Sequence, residues 1–217
     1  MFIVVPILLI ATLFVRRKSK LALLIWSGTV FYLAYSYTIY SFGLHFNNLF
    51  VAYCLILGLS FYSLIYFIIS SLNEDVSQWF AKDVSTKPAG IFLVVIAGLF
   101  YFIWLSEIIP VILINATPKS IVESGLLVNP VHVLDIATCL HALTISGVAL
   151  IKKKSIGFLL APTMMIFCIF MAIAIAAMVF IMKAKGLETN FSLAIIFGMI
   201  TLTSSLFLFQ YLRKLKL

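Results

Sequence analysis

Seven long apolar stretches fill most of this 217-residue chain, and the charges between them fall almost entirely on alternate connections. Backbone N–H and C=O groups in hydrocarbon must be paired within a segment or around a closed barrel. Uninterrupted runs of about twenty apolar residues meet that demand as helices, whereas barrel strands read as alternating segments of roughly ten. Hydrophobic residues make up 64% and charged residues 10% of the chain, against about half and a quarter in soluble domains. The pattern predicts an all-α, polytopic transmembrane helix bundle, one integral membrane domain over residues 1–217, with the lipid bilayer as its surroundings.

The predicted helices run from Phe2 to Val15, Leu21 to Gly43, Leu49 to Ser71, Ala89 to Asn115, Pro130 to Ile151, Ile156 to Met182 and Asn190 to Leu212. The first is short for a crossing, although Arg16 and Arg17 can extend it by snorkelling to the headgroups. If it does not span, six helices remain. A secretory signal peptide carries positive charge before its apolar run. Here Met1 leads straight into that run and Arg16, Arg17, Lys18 and Lys20 follow it, so an uncleaved first helix with its N-terminus outside is expected.

From that orientation the cytoplasmic side receives Arg16, Arg17, Lys18, Lys20, Lys82, Lys87, Lys152, Lys153, Lys154, Arg213, Lys214 and Lys216. The outside receives Lys119, Lys183 and Lys185. Twelve against three is a strong positive-inside bias in loops this short, and predicts a plasma-membrane protein, N-out and C-in. The same clustering at membrane edges accounts for the net charge of +8. No hydrophilic domain offers a phosphate-binding surface, so no nucleic-acid partner is expected.

The inner connection 72–88 carries Trp79 and Phe80 beside Glu74, Asp75 and Asp83, a composition suited to a short interfacial helix. The outer connection 116–129 carries Thr117-Pro118 and leads into Asn129-Pro130, turn and helix-start signals. A coarse three-plus-one-plus-three rhythm also shows: helices one and five each end in a basic cluster, leaving helix four as linker. Residue-level similarity between the halves is poor, and any regular positive-inside protein shows such a rhythm.

Only two acids, Glu107 and Asp135, lie inside predicted membrane segments; Glu74, Asp75, Asp83, Glu123 and Glu188 fall in loops or at their edges. A charge near hydrocarbon costs several kcal/mol unless paired, hydrated or protonated, which makes both membrane acids site candidates. Helix four travels outward, so Glu107 belongs to its outer part; Asp135 lies about a turn and a half into helix five. The two are expected at comparable depth. His132, Asp135 and Cys139 share one helical stripe, while His141 is out of phase with it. Tyr32, Tyr35, Tyr37 and Tyr40 climb helix two; Tyr32 and Tyr35 lie deeper than an aromatic belt requires and suit hydrogen bonding to an internal carboxylate. An outward-facing polar site on Glu107, His132 and Asp135 follows, with Tyr40, His45 and Asn47 as outer contributors. The competing account is structural, with both acids only bridging helices.

Metal chemistry is not indicated: His132 with two carboxylates has suitable donors, but no close ligand motif occurs. Cys54, Cys139 and Cys168 lie in apolar segments without a CxxC pair and read as small buried hydrophobes. A haem held by two histidines meets incompatible depths, a retinal Schiff base lacks a buried lysine, and a covalent hydrolase lacks a nucleophile beside a base. No cofactor is identified.

The run Trp104-Leu105-Ser106-Glu107-Ile108-Ile109-Pro110, the Thr117-Pro118 pair and Asn129-Pro130-Val131-His132-Val133-Leu134-Asp135 resemble a group of small prokaryotic multi-helix membrane proteins of uncharacterised function. So do the tyrosine-rich helix two, Phe46-Asn47-Asn48-Leu49-Phe50 and the stretch from Gly157 to Pro162. The resemblance brings no activity and implies only that Glu107, His132 and Asp135 belong to the shared pattern.

The leading expectation is binding or transport of a small polar molecule or cation from the outer face. Its rivals are an integral membrane enzyme acting on a lipid-like or quinone-like substrate near the outer leaflet, and a receptor-like or structural subunit without turnover. Glu107→Gln and Asp135→Asn are expected to abolish ligand binding with little loss of folded protein. The oligomeric state is not specified by these residues.

Overall fold

Apolar runs bounded by polar caps fold as the hydropathy demands. The computed structural model describes residues 2–187 and 189–216; Met1, placed at the head of the first apolar run, and Glu188, expected in a loop, lie outside the described residues. The helices are α1 (Val4–Arg16), α2 (Lys20–Gly43), α3 (Phe50–Ser71), α4 (Lys87–Leu113), the short α5 (Lys119–Ser124), α6 (Pro130–Ile151), α7 (Ser155–Ala184) and α8 (Phe191–Leu212). Their starts are chemically marked. Ser19 Oγ accepts from the Ala22 N–H at 3.3 Å, and Asn129 Oδ1 accepts from that of Val131 at 3.0 Å with Pro130 in the first turn. Asn190 Oδ1 accepts from the Ser192 N–H at 2.9 Å. Such caps satisfy donors that the first helical turn leaves unpaired.

Six of these helices, α2, α3, α4, α6, α7 and α8, are long and apolar enough to cross a membrane. The protein is a multi-pass, all-α membrane bundle. α1 has 13 residues, a rise of about 20 Å against a hydrocarbon core of about 30 Å.

α2 and α7 form the centre. Gly28 makes their close approach necessary: a Cβ there would lie 2.5 Å from Ile166 Cβ and 2.8 Å from the Thr163 carbonyl oxygen. Beside it the Ser27 and Thr163 hydroxyls share a hydrogen bond of 2.7 Å, and one turn along Phe31 meets Phe167 edge-on at 5.0 Å. α1 and α3 pack on α2, α6 and α8 on α7, and α4 mainly on α6. A glycine pair permits that last contact, since a Cβ on Gly90 would stand 2.7 Å from the Gly147 carbonyl oxygen. The two halves also share a turn. Lys18 (φ 60°) and Lys153 (φ 52°) adopt left-handed backbone at the α1–α2 and α6–α7 connections. The following N–H groups, of Ser19 and Lys154, reach back to the Phe14 and Ala149 carbonyls at 3.1 and 2.9 Å. The same turn ends α4, where Asn115 (φ 52°) precedes Ala116, whose N–H reaches the Val111 carbonyl at 3.1 Å.

Pro162 stands inside α7 and has no N–H to give the Phe158 carbonyl. The Tyr211 hydroxyl of α8 donates to that carbonyl instead, at 3.4 Å. Around this point one end of the bundle closes. The connection after α3 does not form an interfacial helix of any length; it makes one 3₁₀ turn, Val76–Trp79, and buries Val76, Trp79 and Phe80 beneath the bundle. Phe80 lies against Tyr211 and Phe158 with ring centroids 4.5 and 5.6 Å away. The C-terminal segment pairs with the same stretch, through Ala81 N–H to Lys214 O at 2.8 Å and Lys216 N–H to Trp79 O at 2.7 Å. Lys20 stands over the Trp79 ring and the Val76 N–H donates to Ser155 Oγ at 2.9 Å. The four connections richest in lysine and arginine thus gather at one end, called here the basic end.

Candidate functional site

The candidate site lies toward the opposite end, where α2, α4 and α6 meet. Asp135 is its innermost member and is buried at 8% exposure. Tyr35 of α2 donates its hydroxyl to Asp135 Oδ1 at 2.7 Å, and Trp104 of α4 donates Nε1–H to Oδ2 at 2.8 Å. Each carboxylate oxygen therefore has a donor from a different helix. One turn outward, His132 stacks on Trp104 with centroids 4.6 Å apart. His132 Nε2 stands 3.6 Å from Glu107 Oε2, within ion-pairing range but longer than a direct hydrogen bond. Glu107 Oε1 accepts from the Ser120 hydroxyl of α5 at 3.0 Å.

A local irregularity in α6 presents these groups. Residues Asp135–Cys139 form a single π turn, with the Leu140 N–H reaching the Asp135 carbonyl. The buried positions of α6 run from His132, Asp135 and Cys139 through this turn to Leu140, Leu143, Ser146, Gly147 and Leu150. Such turns put one residue out of helical phase and are common at functional sites. Here Asp135 meets α2 and α4, and the remainder of α6 packs against both α4 and α7.

Exposure is graded along the chain of groups. The Glu107 side chain is 40% exposed and that of His132 only 8%. Inward of Tyr35 the layers are the Phe31–Phe167 pair, then Ser27 with Thr163, then Phe158, Tyr211 and Phe80. Buried Cys139 and Cys168 belong to this interior, whereas Cys54 is exposed; all three are free thiols.

Three of the sequence candidates, Glu107, His132 and Asp135, form one connected set. The carboxylates do not share a level, contrary to expectation. Glu107 opposes His132, and Asp135 opposes Trp104 one turn deeper, because α4 and α6 run antiparallel and Trp104 occupies the position across from Asp135. Tyr40 sits instead in an aromatic group with Tyr37 and Tyr53, at 5.4 and 5.7 Å. Asn47 is committed to its own turn, donating to the His45 carbonyl at 3.0 Å and accepting from the Leu49 N–H at 2.9 Å. His45 is exposed at that turn, and neither residue touches the connected set through these bonds. His141, out of phase as expected, is exposed and shares a 2.9 Å hydrogen bond with the Tyr101 hydroxyl.

No family model, curated protein or solved structure matches this chain.

Trp104 and Ser120 are the participants that sequence reasoning did not assign. Trp104 lies three residues before Glu107, on the same helix face. That spacing was the available signal, masked because a tryptophan near a helix end reads as an interfacial aromatic. Among the described residues no group of three His, Cys, Asp or Glu side chains converges in a way that would hold a metal ion. What the arrangement offers is an accessible acid, a histidine behind it, and a buried acid held by two neutral donors.

Proposed function

We propose that this chain is a plasma-membrane protein that binds, and through that site transports, a small polar molecule or cation entering from the outer face. The observation that carries the reading is the gradient from half-open Glu107 to enclosed His132 and Asp135. An accessible carboxylate attracts a cation or an N–H donor. The imidazole of His132 stands behind it as a second polar group on the way inward. Asp135 supplies fixed acceptor character behind them.

The topology belonging to this reading is N-out and C-in with seven crossings, α1 crossing with help from Arg16 and Arg17. Its support is the gathering of basic connections at one end of the bundle and their excess by twelve to three in the sequence. Passage inward would cross the Phe31–Phe167 layer, so transfer needs α2 to move against α7.

The test is cation-dependent stabilisation. Full-length protein in lipid nanodiscs is heated with ammonium, guanidinium or sodium at constant ionic strength. Wild type shows saturable stabilisation by at least one of them, and Glu107→Gln, which keeps shape but loses charge, shows none. The same response in both, or in neither, contradicts the reading.

A further inference from the structure

The basic end contains a cavity that the outer site does not use. It measures about 320 Å³ and is lined by Lys82, Lys153 and Lys216 together with Ser77, Thr86 and the faces of Phe80 and Phe158. The three lysines come from three separate parts of the chain: the connection before α4, the α6–α7 turn and the C-terminal segment. None of them forms an ion pair among the described residues; the one lysine paired nearby is Lys214, held by Asp83. Lys216 does spend one N–H on the Gln78 carbonyl at 3.1 Å, which fixes its ammonium at the cavity wall. Glu74 and Asp75 belong to a neighbouring cleft with Ser155, so Asp83 is the acid closest in sequence to this one.

Two further features suit an anion. Thr86 precedes α4, is 2% exposed and lines the cavity, yet its hydroxyl does not cap the helix. Its hydroxyl is thus a polar group at the cavity wall that the helix start does not use. The N-terminus of the 27-residue α4 begins at Lys87 beside it, and helix N-termini carry partial positive charge.

We infer that this cavity binds a phosphate-bearing anion, either the headgroup of an anionic phospholipid or a soluble phosphate. Three lysines along one cavity wall, a threonine hydroxyl and a helix N-terminus match the charge and acceptor oxygens of a phosphate, and the apolar ring faces match the glycerol and first methylenes of a lipid. Basic pockets at the end of a helix bundle next to an anionic leaflet act in this way. The site is independent of the outer reading and stands whether or not Glu107 binds a cation.

The experiment uses full-length protein in detergent micelles doped with equal amounts of phosphatidylglycerol and phosphatidylcholine, with retained lipid read by native mass spectrometry. Wild type retains phosphatidylglycerol over phosphatidylcholine by about tenfold or more, and Lys82→Gln/Lys153→Gln/Lys216→Gln brings the ratio to near parity. Arg16→Gln/Arg17→Gln/Lys18→Gln removes as much charge from the same end without touching the cavity and keeps the preference. Stabilisation by inorganic phosphate over matched chloride, lost in the lysine variant, assigns the site to a soluble phosphate. A phosphatidylglycerol preference that phosphate does not displace assigns it to the lipid. Wild type without lipid preference or phosphate stabilisation overturns the inference, as does a lysine variant that keeps either effect.

Discussion

Tyr35 and Asp135, one hundred residues apart, meet at 2.7 Å with the tyrosine donating, and Trp104 completes the carboxylate from the other side. This contact ties α2 to α6 at the depth where the candidate site ends, making Asp135 a joint of the bundle as well as a member of the site. Tyr35→Phe removes one donor and leaves a buried oxygen unpaired, for a cost of about 1–3 kcal/mol. Reversible unfolding in mixed micelles reads that loss directly.

Asp135→Asn is for the same reason a poor isosteric test. An amide offers one acceptor oxygen where two donors arrive: with Oδ1 kept for the Trp104 N–H, its NH₂ faces Tyr35, whose hydroxyl has to turn from donor to acceptor. The expected outcome is lower thermal stability than wild type and non-additivity with Tyr35→Phe, which a double-mutant cycle measures. Glu107 has no such constraint: Gln keeps an acceptor for the Ser120 hydroxyl and changes only the charge.

Gly28→Ala probes the α2–α7 crossing. The added methyl would meet Ile166 and the Thr163 carbonyl, and overpacking of this kind costs about 1–3 kcal/mol. Gly58, which has open space at its Cβ position, serves as the control: Gly58→Ala leaves stability unchanged or raises it.

Ser204 predicts the opposite sign. Its hydroxyl is fully buried in α8 and has no hydrogen-bond partner among the described residues. Ser204→Ala removes an unsatisfied group and is expected to stabilise by up to about 1 kcal/mol, again by unfolding in micelles.

At the basic end, Asp83 is held below the usual aspartate range by the hydrogen bond from Lys214, and Asp75 by those from the Ser77 and Gln78 side chains. Groups depressed on folding add stability above their unfolded pKa and lose it as pH falls through the folded value. Hydrogen-exchange protection of the Ala81 and Lys216 amides is therefore flat from neutral pH down to the ordinary aspartate range and falls below it. Asp83→Asn removes that part of the acid dependence.

The helices were legible because hydrocarbon leaves few alternatives: six of seven predicted segments reappear as helices able to cross a membrane, and the short first one is short in the structure. Glu107, His132 and Asp135 were legible because a charge in that setting is costly enough to stand out. Tyr35 was legible by its depth. Trp104 was not, since its indole reads as an interfacial anchor and its role depends on which residue lies across from it on α6. The π turn has no residue signature and shows only in the backbone, where the Leu140 N–H reaches the Asp135 carbonyl. Trp79 and Phe80 suggested an interfacial helix, yet both are buried, Phe80 against Phe158 and Tyr211 and Trp79 beneath Lys20. Local pattern states what must avoid water, and tertiary packing decides which partner hides it.

Trp104 touches both His132 and Asp135, so it reports on the site from inside. The most direct test of the central claim is fluorine NMR of fluorotryptophan-labelled protein in nanodiscs, with the Trp104 resonance assigned by its loss in Trp104→Phe. Titration with the cations named above is predicted to shift that resonance saturably in wild type, to leave Trp26 and Trp79 in place, and to have no effect on Trp104 in Glu107→Gln. A Trp104 resonance unmoved by every cation, or moved equally in Glu107→Gln, would contradict an outward-facing cation site and leave Glu107, His132 and Asp135 as a structural bridge.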